Sequence, residues 1–465
     1  MFRALLSFVF VLSAVQAIPQ NGSGNEVHVR ILGIAISGNT STKARIIQRE
    51  LVVYEGDSLS HPVLYEKLER SRQNLMNTGL FNTVTVLPLY LDPRHVMVEV
   101  TVSERWYIWP AIIFDLADPN FNTWWLTRDF HRVNYGLYLY KYNMRGRNET
   151  GYLKAQFGYT RQFALRYKVP NLTRSQRWGI SAGASYEEQA EITTGTEDNV
   201  RTLIRNHTGS NRDQWKADVE MTLRRSHDIR HSWRLKYTQA EVLDTIIHSA
   251  IDYFDGPATA TRFFSLGYTF VWDHRDARAF PRRGHYQEFR VDRHGLGVLD
   301  LASPDITTVY ATTKRWIHLH EKWTLGLSVR GKGTFGTPPY FMQEGLGYGH
   351  SVRGYEYYVI DGEHFALGKV NLIFQLVKPR TYRLEHIPLE AFRTVYIALY
   401  LNVYSDVGRV WDSRYQVGNP LANRWVNGNG IGLDLVTSYD QVLRGEYTLN
   451  AEGEHGFFLH FTQPF

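Results

Sequence analysis

The 465-residue sequence contains no cysteine. That absence excludes a disulfide scaffold, a thiolate metal site and a cysteine nucleophile together. Long hydrophobic runs are also missing. Beyond the first residues, no window supplies the roughly 18 to 20 uninterrupted apolar residues that a membrane-spanning helix needs. The signatures of common catalytic centres are absent too: there is no Gly-x-Ser-x-Gly elbow, no HExxH helix and no phosphate loop. "SHDIRH" (226–231) and "HLHE" (318–321) are the histidine clusters, and alternation puts His318 and His320 on one strand face, where they could share a metal. With 18 histidines in the chain, such pairs arise by chance. No enzyme activity, no metal and no cofactor is expected. The net charge of +6 is scattered among strand-like segments rather than gathered on a basic helix, which argues against nucleic acid as a partner.

What is present divides the chain into segments. "MFRALLSFVFVLSAVQA" (1–17) has a basic Arg3, an apolar run, and Val15 and Ala17 spaced as in a cleavage site. It reads as a signal peptide, and so implies export. Residues 27–104 mix two periods. "ILGIAISGN" alternates through Leu32, Ile34 and Ile36 to a turn at Gly38-Asn39. A helix is predicted from about Thr42 to near Gly56-Asp57, with Ala44, Ile47 and Leu51 on one face. A second begins at Pro62, buries Leu64, Leu68 and Leu75, and is capped by Gly79. Two alternating strands follow around Asp92-Pro93, giving β-α-α-β-β, enough for one small core.

Residues 105–465 have another texture. "YGLYLYKYNM", "GYLKAQFGYT", "RFFSLGYTFVW", "YIALYLNVYSDVG" and "HGFFLHFTQPF" alternate with period two and are loaded with aromatic rings. About 360 residues at roughly 20-odd per strand and turn predict about 16 antiparallel strands, an even number, as in bacterial transmembrane β-barrels. Closure removes the exposed edge that so long a β-chain would otherwise carry. Trp106, Trp109, Trp124 and Trp125 are expected in an interfacial girdle. The first barrel strand is placed near Trp106 to Asp115 and the last over 455–465, where Pro464 cannot donate a ladder bond.

These two regions, in this order, resemble the BamA/TamA superfamily of outer-membrane assembly proteins, also called the bacterial surface antigen family. "SGNTSTKARIIQREL", "YEGD" and "NTGLFNTVTV" fall where a POTRA domain of that family has its turns, first helix and strand entry. In the barrel, "NMRGRNE" (143–149), "DHRDARAFPRRG" (273–284), "SVRGYE" (351–356) and "YSDVGRVW" (404–411) are similar to its motifs and stand in its order. "HFTQPF" resembles the terminal signal by which such barrels are recognised, with Phe458, His460, Phe461 and Phe465 as its residues.

The resemblance implies that a long outer loop folds back into the lumen. Val352, Arg353, Gly354 and Tyr355 would form its tip, and Arg353 would pair with Asp406, on the strand face of Tyr404 and Gly408. A dehydrated guanidinium is costly unless paired, and its planar fork suits a carboxylate. Where the family often has a second acidic residue, this chain has Asn371, which implies a weaker anchor or a substitute carboxylate, Glu363 or Glu356. The resemblance further implies a non-enzymatic role in inserting or translocating polypeptides at the outer membrane. The POTRA domain would lie in the periplasm, and the partners would be membrane lipid, client polypeptides met at the POTRA strand edge and barrel seam, and accessory periplasmic lipoproteins. The BamA and TamA proteins carry several POTRA domains where one is legible here, which keeps a dedicated secretion transporter as an alternative. A solute channel or an outer-membrane enzyme is the alternative from another class.

Overall fold

The computed structural model describes residues 28–116, 133–206, 209–249, 253–254, 256–299 and 303–462. The expected signal segment, Trp124, Trp125, Pro464 and Phe465 lie outside these residues.

The N-terminal unit comprises β1 (His28–Ser37), α1 (Ala44–Gln48), β2 (Ser58–Ser60), α2 (His61–Met76), β3 (Phe81–Asp92) and β4 (His95–Glu104). Its sheet runs β2-β1-β4-β3, with β1 and β4 parallel. Alternation along β4 buries Val96, Val98, Val100 and Val102 against Leu64, Leu68 and Leu75 of α2, which form one apolar core. The first helix is far shorter than its apolar periodicity predicts, and Ala44 is exposed. Side chains of α2 take the backbone groups that would have continued it: Asn74 Nδ2 donates to the Glu50 carbonyl (3.1 Å), and the Val52 N–H donates to Ser71 Oγ (3.0 Å). The chain then adds the short strand β2, which the sequence pattern did not reveal.

The remaining strands begin with β5 (Ile108–Leu116), β6 (Val133–Met144), β7 (Glu149–Gly158), β8 (Thr160–Val169) and β9 (Trp178–Gln189). A separate hairpin, β10 (Glu191–Glu197) and β11 (Val200–Arg205), precedes β12 (Arg212–Arg224), β13 (Ile229–Val242), α3 (Asp244–Ser249) and β14 (Ala260–Arg275). Next come β15 (Gly284–His294), β16 (Ile306–His320), β17 (Trp323–Phe335) and β18 (His364–Arg383). The chain finishes with α4 (Glu390–Arg393), β19 (Thr394–Trp411), β20 (Trp425–Thr437), β21 (Val442–Asn450) and β22 (His455–Thr462). All but β10 and β11 pair with their sequence neighbours in one antiparallel sheet of 16 strands, the expected number. The ends of that sheet are β5 and β22, and among the described residues no ladder bond joins them.

Register assigns each side chain to a face. Asp406 lies opposite Lys369, Lys369 opposite Ser328, Ser328 opposite Lys314 and Lys314 opposite Tyr286, so one polar set lines the lumen. The other set, including Ile112, Phe114, Leu137, Leu165, Leu433 and Phe457, is exposed, as lipid-facing residues are. Trp178, Trp233, Trp272 and Trp323 stand on that outer face near the N-domain end of the barrel and form the girdle there. Trp109, expected in the girdle, belongs to the lumen face instead, opposite Tyr140. The expected shared face of His318 and His320 is also not formed. A bulge between them sets His318 opposite Thr324 and His320 opposite Trp323, on opposite faces of the sheet. No cluster suited to a metal occurs among the described residues.

The N-terminal unit lies across one mouth of the barrel, held by turns spaced around the rim. Lys43 N–H donates to the Gly146 carbonyl (3.0 Å), Thr42 Oγ1 accepts from Asn143 (2.8 Å), and Asn77 accepts from the Arg278 N–H (3.0 Å). Glu50 is clasped by Arg224, and Asn82 Nδ2 donates to the Ala391 carbonyl (2.7 Å). Thus "NMRGRNE" and "DHRDARAFPRRG" are, in large part, docking turns. At the opposite mouth, the tip of the β10–β11 hairpin is buried between two loops. Asn199 Oδ1 accepts from the Leu421 N–H and the Asn199 carbonyl from the Val359 N–H, both at 2.8 Å.

Candidate functional site at the loop anchor and the seam

The segment between β17 and β18 folds into the lumen and carries its own apolar core, in which Val352 and Tyr355 pack with Phe365, Leu367, Val410 and Val426. Gly354 has φ +92°, a backbone conformation that costs a side-chain-bearing residue, and it turns the chain so that Asn450 Nδ2 donates to its carbonyl (2.8 Å). The loop presses on the wall at glycines. A β-carbon on Gly408 would sit 2.6 Å from Val352 Cγ2, and one on Gly428 would meet the Arg353 carbonyl at 1.7 Å.

This packing delivers Arg353 to a fully enclosed acidic wall. Its Nη2 is 2.5 Å from Asp406 Oδ1 and its Nε is 2.8 Å from Oδ2, the bidentate fork that guanidinium and carboxylate favour. Nη2 also donates to Asn371 Oδ1 (2.8 Å), and Nη1 lies 3.2 Å from Glu446 Oε1. The guanidinium carbon stands 3.5 Å over the ring of Tyr404, whose hydroxyl is 2.6 Å from Thr448 Oγ1. Lys369 Nζ reaches Asp406 Oδ2 at 3.2 Å, and Arg444 pairs with Asp434 on the same wall. Arg353 is 6% exposed, Asp406 0% and Glu446 1%. Charges buried so deeply persist only because each carboxylate has a cation and each guanidinium hydrogen bonds.

All seven anchor residues named from sequence meet here. Neither substitute carboxylate serves: Glu356 accepts the Gly354 N–H (2.8 Å) and Glu363 binds Ser413. The missing acid is Glu446 on β21, which sequence reasoning overlooked. The available signal was its place in "VLRGEYTLN", on the inward parity shared with Arg444 and Thr448.

Of the terminal residues, Phe461 points outward and is 77% exposed. Phe458 and His460 point inward. Phe458 packs on Tyr357 of the loop at 5.6 Å, and His460 Nε2 lies 3.5 Å from Glu446 Oε2. The anchor therefore extends to the last strand through Glu446.

At the N-domain end of the same seam, side chains bridge what the backbone does not. Trp106 and Trp109, on the β5 side, pack on Phe392 at 6.1 and 5.8 Å, and Trp109 meets Tyr439 edge-on at 5.0 Å. Arg105 pairs with Asp440 at 2.6 Å, and the Tyr439 hydroxyl donates to the Ala391 carbonyl (2.8 Å). Phe392 belongs to the β18–β19 connection and Tyr439 to the β20–β21 turn, so this cluster ties the first strand to strands beyond β22. Tyr439 and Asp440 hold positive φ of 59° and 61°, rare for residues with side chains.

A lipid-faced barrel of 16 antiparallel strands, a small α/β domain across its mouth and a lumen-anchored loop define an outer-membrane assembly-type β-barrel with a POTRA domain. Residues 143–450 match the Omp85 superfamily domain, and residues 29–105 match the surface antigen variable number repeat, which is the POTRA domain. The chain belongs to the Omp85 superfamily. It is a bacterial outer-membrane protein whose POTRA domain lies in the periplasm. Over 78 residues, 16% of this chain, it is 38% identical to the outer membrane protein assembly factor BamA of Neorickettsia risticii (strain Illinois). The match spans only 10% of that relative's length. Among solved structures, BamA from Haemophilus ducreyi lacking POTRA domains 1–3 superposes with a TM-score of 0.53 at 15% identity, over 93% of this chain and 84% of that one. CdiB from Acinetobacter baumannii gives 0.50 at 12% identity, over 93% and 73%. Both likenesses concern the fold.

Proposed function

We propose that this protein inserts or translocates other polypeptides at the outer membrane, and that the seam between β5 and β22 is where a client strand pairs. The observation that carries this reading is the seam itself: among the described residues, the end strands of the sheet share no ladder bond. Unpaired backbone facing lipid is costly, so a client strand that satisfies it gains main-chain hydrogen bonds with little demand on its sequence. The POTRA domain offers a second edge. β3 lies at the margin of its sheet, with Leu87, Leu89 and Leu91 more than half exposed, and accepts an extended client segment on the way to the seam. The anchored loop and the buried β10–β11 tip obstruct the lumen, which favours the seam over a route through the barrel for either a client or a small solute. No catalytic step is assigned to the protein.

The test is a panel of engineered cysteine pairs across Ile108 to Phe114 and Phe458 to Phe461, in a chain that has no native cysteine. Locking the seam is expected to abolish client insertion reversibly while the barrel stays folded, since bridging needs only close β-carbons. Full insertion by the oxidised protein, unchanged on reduction, would remove the seam mechanism and favour a transporter acting through its lumen.

A further inference from the structure

Strand β15 begins at Gly284, whereas its neighbour β16 runs on to His320, so the barrel wall has a notch at its periplasmic rim. The chain before Gly284 turns away: Arg282 reaches Gln375 and the Glu321 carbonyl rather than continuing the ladder. The notch is an open cleft of about 360 Å³, lined by Arg283, His285, Arg315, Trp316, Ile317 and His318. His285 and Arg315 are direct cross-strand partners, and their parity is that of the lipid-facing set. One buried ring nitrogen on this outer face, His285 Nε2, has no hydrogen-bond partner among the described residues, whereas His318, also at the notch, has the parity of the lumen face. Buried polar atoms are usually hydrogen-bonded, to protein, to ordered water or to a bound group. Among the described residues, the exposed Arg283 guanidinium makes no ion pair, and no carboxylate lines the cavity.

We propose that this notch binds the phosphate of an anionic phospholipid in the periplasmic leaflet. Its position selects the ligand. Trp272 packs edge-on against His285 at 4.4 Å, so the cavity lies within the aromatic girdle, at the depth of headgroups. Ile317 on the outer face continues the apolar surface on which acyl chains lie. Two guanidiniums and the His285 imidazole offer donors to phosphate oxygens. The lack of a lining carboxylate leaves nothing to receive the amine of a zwitterionic headgroup, which favours a headgroup with net negative charge.

The experiment uses the full mature chain in mild detergent, with phosphatidylglycerol, phosphatidylcholine and inorganic phosphate as separate probes, read by native mass spectrometry. Phosphatidylglycerol is expected to remain bound in preference to phosphatidylcholine, and loss of two charge-assisted contacts in Arg283→Gln/Arg315→Gln is expected to lower its occupancy roughly tenfold or more. A photoreactive phosphatidylglycerol should label wild-type peptides containing 283–285 or 315–318, a readout independent of whether the variant folds. Equal retention of both lipids, or labelling confined to other strands, would overturn the proposal. Displacement of the lipid by millimolar inorganic phosphate would overturn the lipid assignment in favour of a free-anion site.

Discussion

Glu50 of the POTRA domain and Arg224 at the end of β12 meet through two contacts of 2.6 Å, joining oxygen to nitrogen on both arms of each group. Glu50 is 4% exposed, so this charge pair between the two parts of the chain is well enclosed on its carboxylate side. Burial by itself raises a carboxyl pKa, but the charge and hydrogen bonds of Arg224 outweigh it and hold Glu50 below the ordinary carboxylate range. A depressed pKa stabilises the docked state at every pH above the free-carboxylate value, and that contribution disappears as pH falls through the depressed value. Docking is therefore expected to be flat between neutral pH and about pH 5 and to weaken below about pH 4. Spin-label distances between the POTRA domain and the rim would check this. Glu50→Gln should loosen docking already at neutral pH and flatten the acid dependence, since it leaves Arg224 unpaired.

The loop anchor predicts coupling. Arg353→Ala and Asp406→Ala should each lower barrel stability by up to about 3 to 5 kcal/mol, the usual cost of orphaning one member of a buried pair. The double variant should cost clearly less than the sum. Glu446→Gln should weaken the anchor less than Asp406→Asn, because Glu446 makes one 3.2 Å contact with Arg353 whereas Asp406 accepts a bidentate pair. Thermal unfolding in detergent, read by gel mobility, is the measurement. Strict additivity would show that Arg353 and Asp406 are energetically independent.

The aromatic cluster at the seam predicts a change in dynamics. Phe392 touches Trp106, Trp109 and Tyr439, and aromatic pairs contribute about 0.5 to 1.5 kcal/mol each beyond their buried area. Phe392→Ala should thus speed hydrogen exchange in β5 by at least roughly tenfold, with β13 to β16 unchanged. Uniformly faster exchange around the barrel would instead indicate global destabilisation.

The 16-stranded, lipid-facing architecture predicts that the protein fractionates with the outer membrane. Unboiled samples should migrate faster on a gel than boiled ones, because the folded barrel resists detergent.

The sequence alone determined the strand number and the β-α-β character of the N-terminal region, because period-two alternation marks half-buried strands and the helical period stands out against it. Parity along "YSDVG" put Asp406 on the face of Tyr404 and Gly408, but its pairing with Arg353 was implied by the family resemblance rather than by local chemistry. Tertiary structure decided the rest. Glu446 became the second acid because register carries β21 beside the Arg353 tip, and register is set by neighbouring strands. His318 and His320 were parted by a bulge, in which one extra residue reverses parity without a signature in the residues themselves. The first helix ended early because Ser71 and Asn74, distant in sequence, offered its backbone better-placed partners. Trp109 faces inward for the same kind of reason. Local periodicity says that a residue alternates, but only packing against Phe392 and Tyr439 says which side of the wall is which.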